Sequence, residues 1–267
     1  MITVAIAAAW PVTALAATQP RLGTAANFAV LAGSAITNTG PTVINGDVGM
    51  SPGGSSSVTG FPPGIINGGT HYADAVAVQA KNDLVTAYND AAGQTPFVDK
   101  TGVNLGGQNL TPGTYHFSSS AQLTGTLTLS GFGVYIFQIG STLTTASAAS
   151  VLLTNGAQAC GVYWQVTSSA TFGSTTSFQG TVIALTSITM NTGATLIGRA
   201  LARNGAVTLD SNTITRPAAA CAGLPNTGAV PVRGAHFPWQ LVVVGLGSGL
   251  GALVLASSIR ARRRRSA

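Results

Sequence analysis

From about residue 17 to residue 223 the chain alternates apolar and small polar residues in short runs, and Gly or Asn breaks each run after a few positions. That pattern predicts strands with one buried side, joined by tight turns. The runs also repeat. Leu143-Thr144-Thr145, Ala170-Thr171-Phe172, Ile188-Thr189-Met190 and Val207-Thr208-Leu209 superpose. So do Ser177-Phe178-Gln179, Thr195-Leu196-Ile197 and Thr213-Ile214-Thr215, whose starts lie 18 residues apart (177, 195, 213). A repeat of that length is too short for a propeller blade. It suits one coil of a three-sided, right-handed β-solenoid, with about six residues per side. Such coils are stable only when stacked, because none can bury its apolar face alone.

Residues 71–92 break the pattern. They are rich in helix formers, and Val76, Ala80, Leu84, Ala87 and Tyr88 fall on one stripe at helical spacing. This predicts a long α-helix over about 71–92, with Thr70 as N-cap and Gly93 as stop. A single helix has no partner inside its own segment, so it is expected to lie along the coils and cover their apolar faces. The run Ile36-Thr37-Asn38-Thr39-Gly40-Pro41-Thr42-Val43-Ile44 echoes residues 188–197. The first coil is therefore expected before the helix and the others after it. The fold class is mainly β, with one or at most two domains in residues 17–223 by length.

Charge narrows the function. Charged residues make up only 7% of the chain, and the net charge of +6 is carried largely by arginines near the C-terminus. Between residues 17 and 223 the cations are Arg21, Lys81, Lys100, Arg199, Arg203 and Arg216. They are balanced by Asp47, Asp74, Asp83, Asp90, Asp99 and Asp210. No basic patch remains for a nucleic acid. The carboxylates belong to the helix or stand isolated, unlike the paired acids of a polysaccharide lyase or hydrolase. No phosphate-binding loop or dinucleotide fingerprint is present. His71, His116 and His236 stand at no ligand spacing, so neither a metal nor a cofactor is expected. Tyr163 and Trp164 are the candidates for an aromatic sugar-binding groove, though one of the two must face the core.

The ends of the chain differ from the middle. Ile2 to Ala9 is apolar, and Ala14-Leu15-Ala16 is a small-x-small site, which predicts a signal peptide over 1–16 cleaved after Ala16 or Ala17. Near the other end stand Leu224, Pro225, Asn226, Thr227 and Gly228, then a polar linker over 229–238. An uncharged apolar span follows at 239–259 and an arginine-rich tail at 260–267. About 20 apolar residues suffice to cross a bilayer as a transmembrane segment. The arginines mark its cytoplasmic side. This order resembles the sorting signal of sortase-anchored surface proteins of Gram-positive bacteria. The resemblance implies a secreted, membrane-held precursor that sortase cuts between Thr227 and Gly228 and joins through Thr227 to peptidoglycan. A plain C-terminal membrane anchor is the other reading. In an exported protein the even pair Cys160 and Cys221 suggests a disulfide that pins the end of the fold, with two free thiols as the alternative.

Residues from about 21 to 221 also resemble the bacterial and fungal ice-binding proteins, whose fold is a discontinuous β-solenoid with one flanking helix. The resemblance is carried by Asn27–Ser34, Ile44–Gly49, Tyr135–Thr144, Gly156–Cys160 and Gly198–Leu209. It implies an ice crystal surface as partner and a flat Thr/Ser-rich face as the site. Strand alternation places Thr144, Thr171, Thr189 and Thr208 outward, with Thr37 as a further member. A second outward column holds Thr142, Ser169, Ser187 and Ala206. Stacked strands lie about 4.7–4.9 Å apart and residues i and i+2 about 6.6–6.8 Å apart, close to repeats of the ice lattice. Threonine is stiff at χ1, so an ordered array loses little entropy on binding. A rival face carries Ser150, Ser177, Thr195 and Thr213. On it the family's Thr-Ala/Gly-x-Thr/Asn pattern appears at Thr192–Thr195 and Thr39–Thr42, with Thr192 expected at a corner. Other coils depart from the pattern with Ser147, Ser174 or Asp210 in first place. A wall-anchored adhesin or structural surface protein without ice activity fits the same sequence.

Overall fold

The computed structural model describes residues 17–217 and Cys221. The expected signal peptide, the 224–228 motif, the linker, the apolar span at 239–259 and the basic tail lie outside the described residues. Among the described residues no helix is long and apolar enough to cross a membrane.

The described chain is mainly β, with one long helix. Its strands pair in parallel and fall into three ladders that the chain visits in turn. One ladder runs through Ala121–Leu123, Leu143–Thr145, Ala170–Phe172, Ile188–Met190, Val207–Asp210, Ile36–Thr39 and Val58–Thr59; we call it the Thr face. A second, the mixed face, runs through Thr126–Ser130, Ser150–Thr154, the first part of Ser177–Ala184, the first part of Thr195–Ala202, Thr213–Thr215, Val43–Asn45 and Ile65–Asn67. The third lies under the helix and includes Gly113–Phe117, Tyr135–Ile139, Val162–Val166, the ends of the two long strands, Phe28–Ala32 and Asp47–Met50. The 18-residue repeat appears as register: Ser177 pairs with Thr195 and Thr195 with Thr213. Elsewhere the coils are longer, and Ser150 pairs with Ser177 across 27 positions (177 − 150).

Two long strands, Ser177–Ala184 and Thr195–Ala202, turn the corner from the mixed face to the helix-covered face without a break. Gly180 and Gly198 sit in register at that bend. A Cβ on Gly198 would lie 1.8 Å from the Gly180 carbonyl oxygen, so only glycine lets the two backbones stack there.

Inside the three ladders the inward side chains form one core. Tyr115, Phe137 and Trp164 stack rung upon rung, with the Phe137 and Trp164 centroids 3.9 Å apart, and Phe178 packs tilted against the indole from the mixed face. The Trp164 indole donates to the Gln179 carbonyl at 2.9 Å, so its one polar atom is satisfied. Tyr163 packs in the helix-side cluster. Both members of the candidate aromatic pair are thus buried, and neither can line a sugar groove.

The helix spans Ala75–Ala92, four residues shorter at its start than the sequence predicts. Thr70 is not its cap. Thr70–Tyr72 is a strand that pairs with Val48–Met50, and Ala73 at φ 56° breaks the chain direction. The cap is Asp74, whose carboxylate accepts from the Ala77 N–H at 2.8 Å. Gly93 does end the helix. The buried stripe is Ala77, Ala80, Leu84, Ala87, Tyr88 and Ala91, so Val76 falls outside it and is exposed. The stripe packs with Phe28, Leu31, Ile136, Ile183 and Leu201 as a second core. Strands covered on both sides read as nearly continuous apolar runs, and this ladder does.

A first coil does precede the helix, as the sequence predicts. The N-terminal strands do not begin the stack. Ile36–Thr39 pairs with Val207–Asp210, and Val43–Asn45 pairs with Thr213–Thr215, so the first residues close onto the last coil. Val58–Thr59 and Ile65–Asn67 add a further coil before the helix. The helix then carries the chain to the strand at Val98–Asp99, which pairs with Gly113–Phe117 at the other end of the stack. Cys160 and Cys221 are joined in a disulfide with their Cα atoms 5.6 Å apart.

Candidate functional site

The Thr face presents one ladder of aligned side chains. In register order it runs Gln122, Thr144, Thr171, Thr189, Thr208, Thr37 and Thr59. Thr171, Thr189 and Thr208 each stand between buried apolar neighbours, as Thr189 does between Ile188 and Met190, both essentially inaccessible. Thr59 was not anticipated, although Val58-Thr59 repeats the Val207-Thr208 step. Its signal was lost because the repeat there is only two residues long. Two positions earlier on each strand lies a second column containing Ser120, Thr142, Ser169, Ser187 and Ala206. Hydroxyls bridge neighbouring rungs: Thr37 donates to Thr208 at 3.3 Å and Thr142 to Ser120 at 2.9 Å. These links run along the stack and hold the rotamers in line. A shallow depression lined by Gly102, Val103, Asn104, Ser120 and Gln122 ends the columns on one side.

The mixed face is also in register, with Thr126, Ser150, Ser177, Thr195, Thr213, Val43 and Ile65 in one column. Beside it stand Leu152 and Ile197, both about half exposed. Thr195 and Thr213 are exposed as expected.

Thr39 and Thr192 lie exposed at the corner between the two faces. Thr42 does not. It is fully buried, and its hydroxyl accepts from the Asn212 N–H at 3.0 Å. The tight turn at Gly40, φ 74°, with the Thr42 N–H donating back to the Gly40 carbonyl, tucks Thr42 under the corner. Two residues three apart thus point to different environments, and Thr42 cannot touch a surface ligand.

A group of charged side chains lies under the helix, away from these faces. Under the helix, burial pushes the Arg199 guanidinium down to about 10 and the Tyr163 phenol up to about 12. Lys81 is lowered to about 8, first by burial and then by the nearby Arg203. Its ammonium donates to the Ala202 and Arg203 carbonyls, and Arg203 lies over the Tyr88 ring, so these groups lock the helix to the coils. Among the described residues no group of three or more His, Cys, Asp or Glu side chains could hold a metal ion.

A rung-by-rung array of small hydroxyl side chains on a parallel β framework defines a protein suited to an extended, regular surface rather than a small molecule. Known proteins give that class a family. A family model described as ice-binding-like matches residues 30–215. The chain is 51% identical over 255 residues to an ice-binding protein of Nostoc sp. (strain HG1), spanning 94% of this chain and 91% of the relative. An ice-binding protein of Flavobacterium frigoris (strain PS1) is 37% identical over 211 residues, 73% of this chain and 76% of that one. Among solved structures, an ice-binding protein from an Antarctic biological consortium superposes with a TM-score of 0.74 at 54% identity. That match covers 78% of this chain and 95% of the other. One from the Antarctic ascomycete Antarctomyces psychrotrophicus gives 0.72 at 44% identity, covering 75% and 99%. The chain belongs to the ice-binding-like family.

Proposed function

We propose that this protein adsorbs to ice, without catalysis, through the Thr face of a three-sided right-handed β-solenoid. The observation that carries the reading is the unbroken register of Thr144, Thr171, Thr189, Thr208, Thr37 and Thr59. The ladder crosses the seam where N-terminal and C-terminal coils meet, so the grid continues although the chain does not. Its spacings of about 4.8 Å between rungs and about 6.7 Å along each strand follow from β geometry. Stiff Thr side chains place a methyl and a hydroxyl at each of the six Thr positions of the ladder. Ice grown slowly from a solution of the protein is the test. The folded protein enters the ice; exclusion of folded protein from the ice overturns the reading and leaves a wall adhesin as the better account.

A second reading places the ice contact on the mixed face. The exposed Leu152 and Ile197 favour it, because they set apolar groups beside the Thr126–Thr213 hydroxyl column. Comparing bulky substitutions on the two faces separates the readings.

We infer further that the protein works outside the cell, anchored to the wall of a Gram-positive-type bacterium. The disulfide supports an oxidising compartment. The order of Leu224–Gly228, apolar span and arginine tail supports sortase and peptidoglycan as partners. Leu224→Ala is expected to release protein into the medium; a variant that stays covalently bound to peptidoglycan contradicts the anchor.

A further inference from the structure

We propose that Asp210 is the affinity-limiting residue of the Thr face, which rests on the ice-binding reading above. Asp210 ends the strand Val207–Asp210 and lies two positions beyond Thr208, so it belongs to the next outward column of the same face. Its register neighbour is Thr39 on the adjoining strand. On the other side its carboxylate accepts from the Thr192 hydroxyl. It accepts from the Ser211 hydroxyl as well, at 3.1 Å. The other outward positions of the ladder and its flanking column, from Ser120 and Gln122 to Thr37 and Thr59, carry hydroxyl, amide or methyl groups. Asp210 is the carboxylate in that neutral field.

Two effects follow. A carboxylate orders its first water shell radially and gives that shell up only at a large cost. That shell cannot at the same time take the positions of a crystal layer. The carboxylate also fixes the neighbouring hydroxyls. Because Thr192 and Ser211 donate their protons to Asp210, each can only accept from water on the ice side. Thr192 and Ser211 therefore form a corner whose bonding is directed onto Asp210, beside a ladder that carries no charge. The backbone does not need the charge. The Asp210 N–H donates to the Asn212 side chain, a bond that any residue at 210 retains.

The test compares Asp210→Asn, Asp210→Thr and Asp210→Glu with the parent in the full chain, at equal concentration, by thermal hysteresis and by partition into ice. Circular dichroism melts confirm that each variant is folded. The neutral variants are expected to raise ice partition by about twofold or more, the scale of removing one exposed charge interaction. Asp210→Glu keeps the charge and is expected to show no gain. Equal behaviour of the Asn and Glu variants overturns the proposal, as does any loss of activity in folded Asp210→Thr. A parent that ice excludes, with all three variants excluded too, overturns the ice-binding reading itself. An active parent unchanged by the neutral variants overturns only the role of Asp210.

Discussion

Leu84→Ala separates what holds the fold together from what meets the ice. Leu84 is fully buried in the cluster formed by the helix stripe and the outer side of the helix-covered ladder. The substitution removes about three methylene equivalents, or roughly 2.4 kcal/mol of transfer free energy at about 0.8 kcal/mol each. The helix is pinned by Asp83, Lys81 and Asp90 through bonds to other segments, so the site cannot fully collapse. A residual cavity at about 24 cal/mol per Å³ brings the total to about 3–4 kcal/mol. For a domain of this size each kcal/mol lowers Tm by about 2–4 °C, so the melt should fall by roughly 6–16 °C. Circular dichroism melts measure the loss, and thermal hysteresis near 0 °C measures function. The variant is expected to melt early yet keep the parent's hysteresis, because the Thr and mixed faces lie on the other sides of the stack. A melt within about 2 °C of the parent would show that Leu84 does not hold the helix. Lost hysteresis in a folded variant would show that the helix side takes part in binding.

Two further outcomes follow. Replacing both Cys160 and Cys221 by Ser opens a loop spanning 61 positions and is expected to cost about 4 kcal/mol in the loop-entropy account, read by urea unfolding; an unchanged midpoint refutes it. Lys81 is held below its ordinary value, at about 8, so between about pH 8 and 10.5 the unfolded chain binds the extra proton and stability rises with pH. The rise is fully developed near the unfolded value, and the penalty is fully present below about 8. Denaturation across pH 7–10 in the parent and in Lys81→Met should show that difference in slope, and parallel curves would contradict it.

Much of this was legible in the sequence because period and register are one-dimensional signals. Ser177, Thr195 and Thr213 align by eye at 18 residues, and they pair in space. Thr189 could be placed outward because Ile188 and Met190 had to face in. The misses occur where local chemistry competes with the period. Thr42 looked like the end of a surface motif, but a positive-φ turn at Gly40 changes the direction of the chain before it. Thr70 looked like a cap, yet pairing with Val48 claimed it for a strand and left the capping to Asp74. The closure of residues 36–45 onto the last coil could not be read from order along the chain. The similarity of Thr37 to Thr208 showed a shared coil type, while adjacency depends on which edges remain open once the helix has carried the chain to the far end.

The central claim is tested most directly by thermal hysteresis of Thr189→Tyr and Thr195→Tyr beside the parent. Each substitution places one ring on one face, at a position whose side chain points outward, so neither should disturb the core. The parent is expected to show hysteresis, Thr189→Tyr to lose most of it, and Thr195→Tyr to keep it. Loss with Thr195→Tyr alone moves the site to the mixed face. Full hysteresis in both variants, or none in the folded parent, contradicts the claim that these faces bind ice.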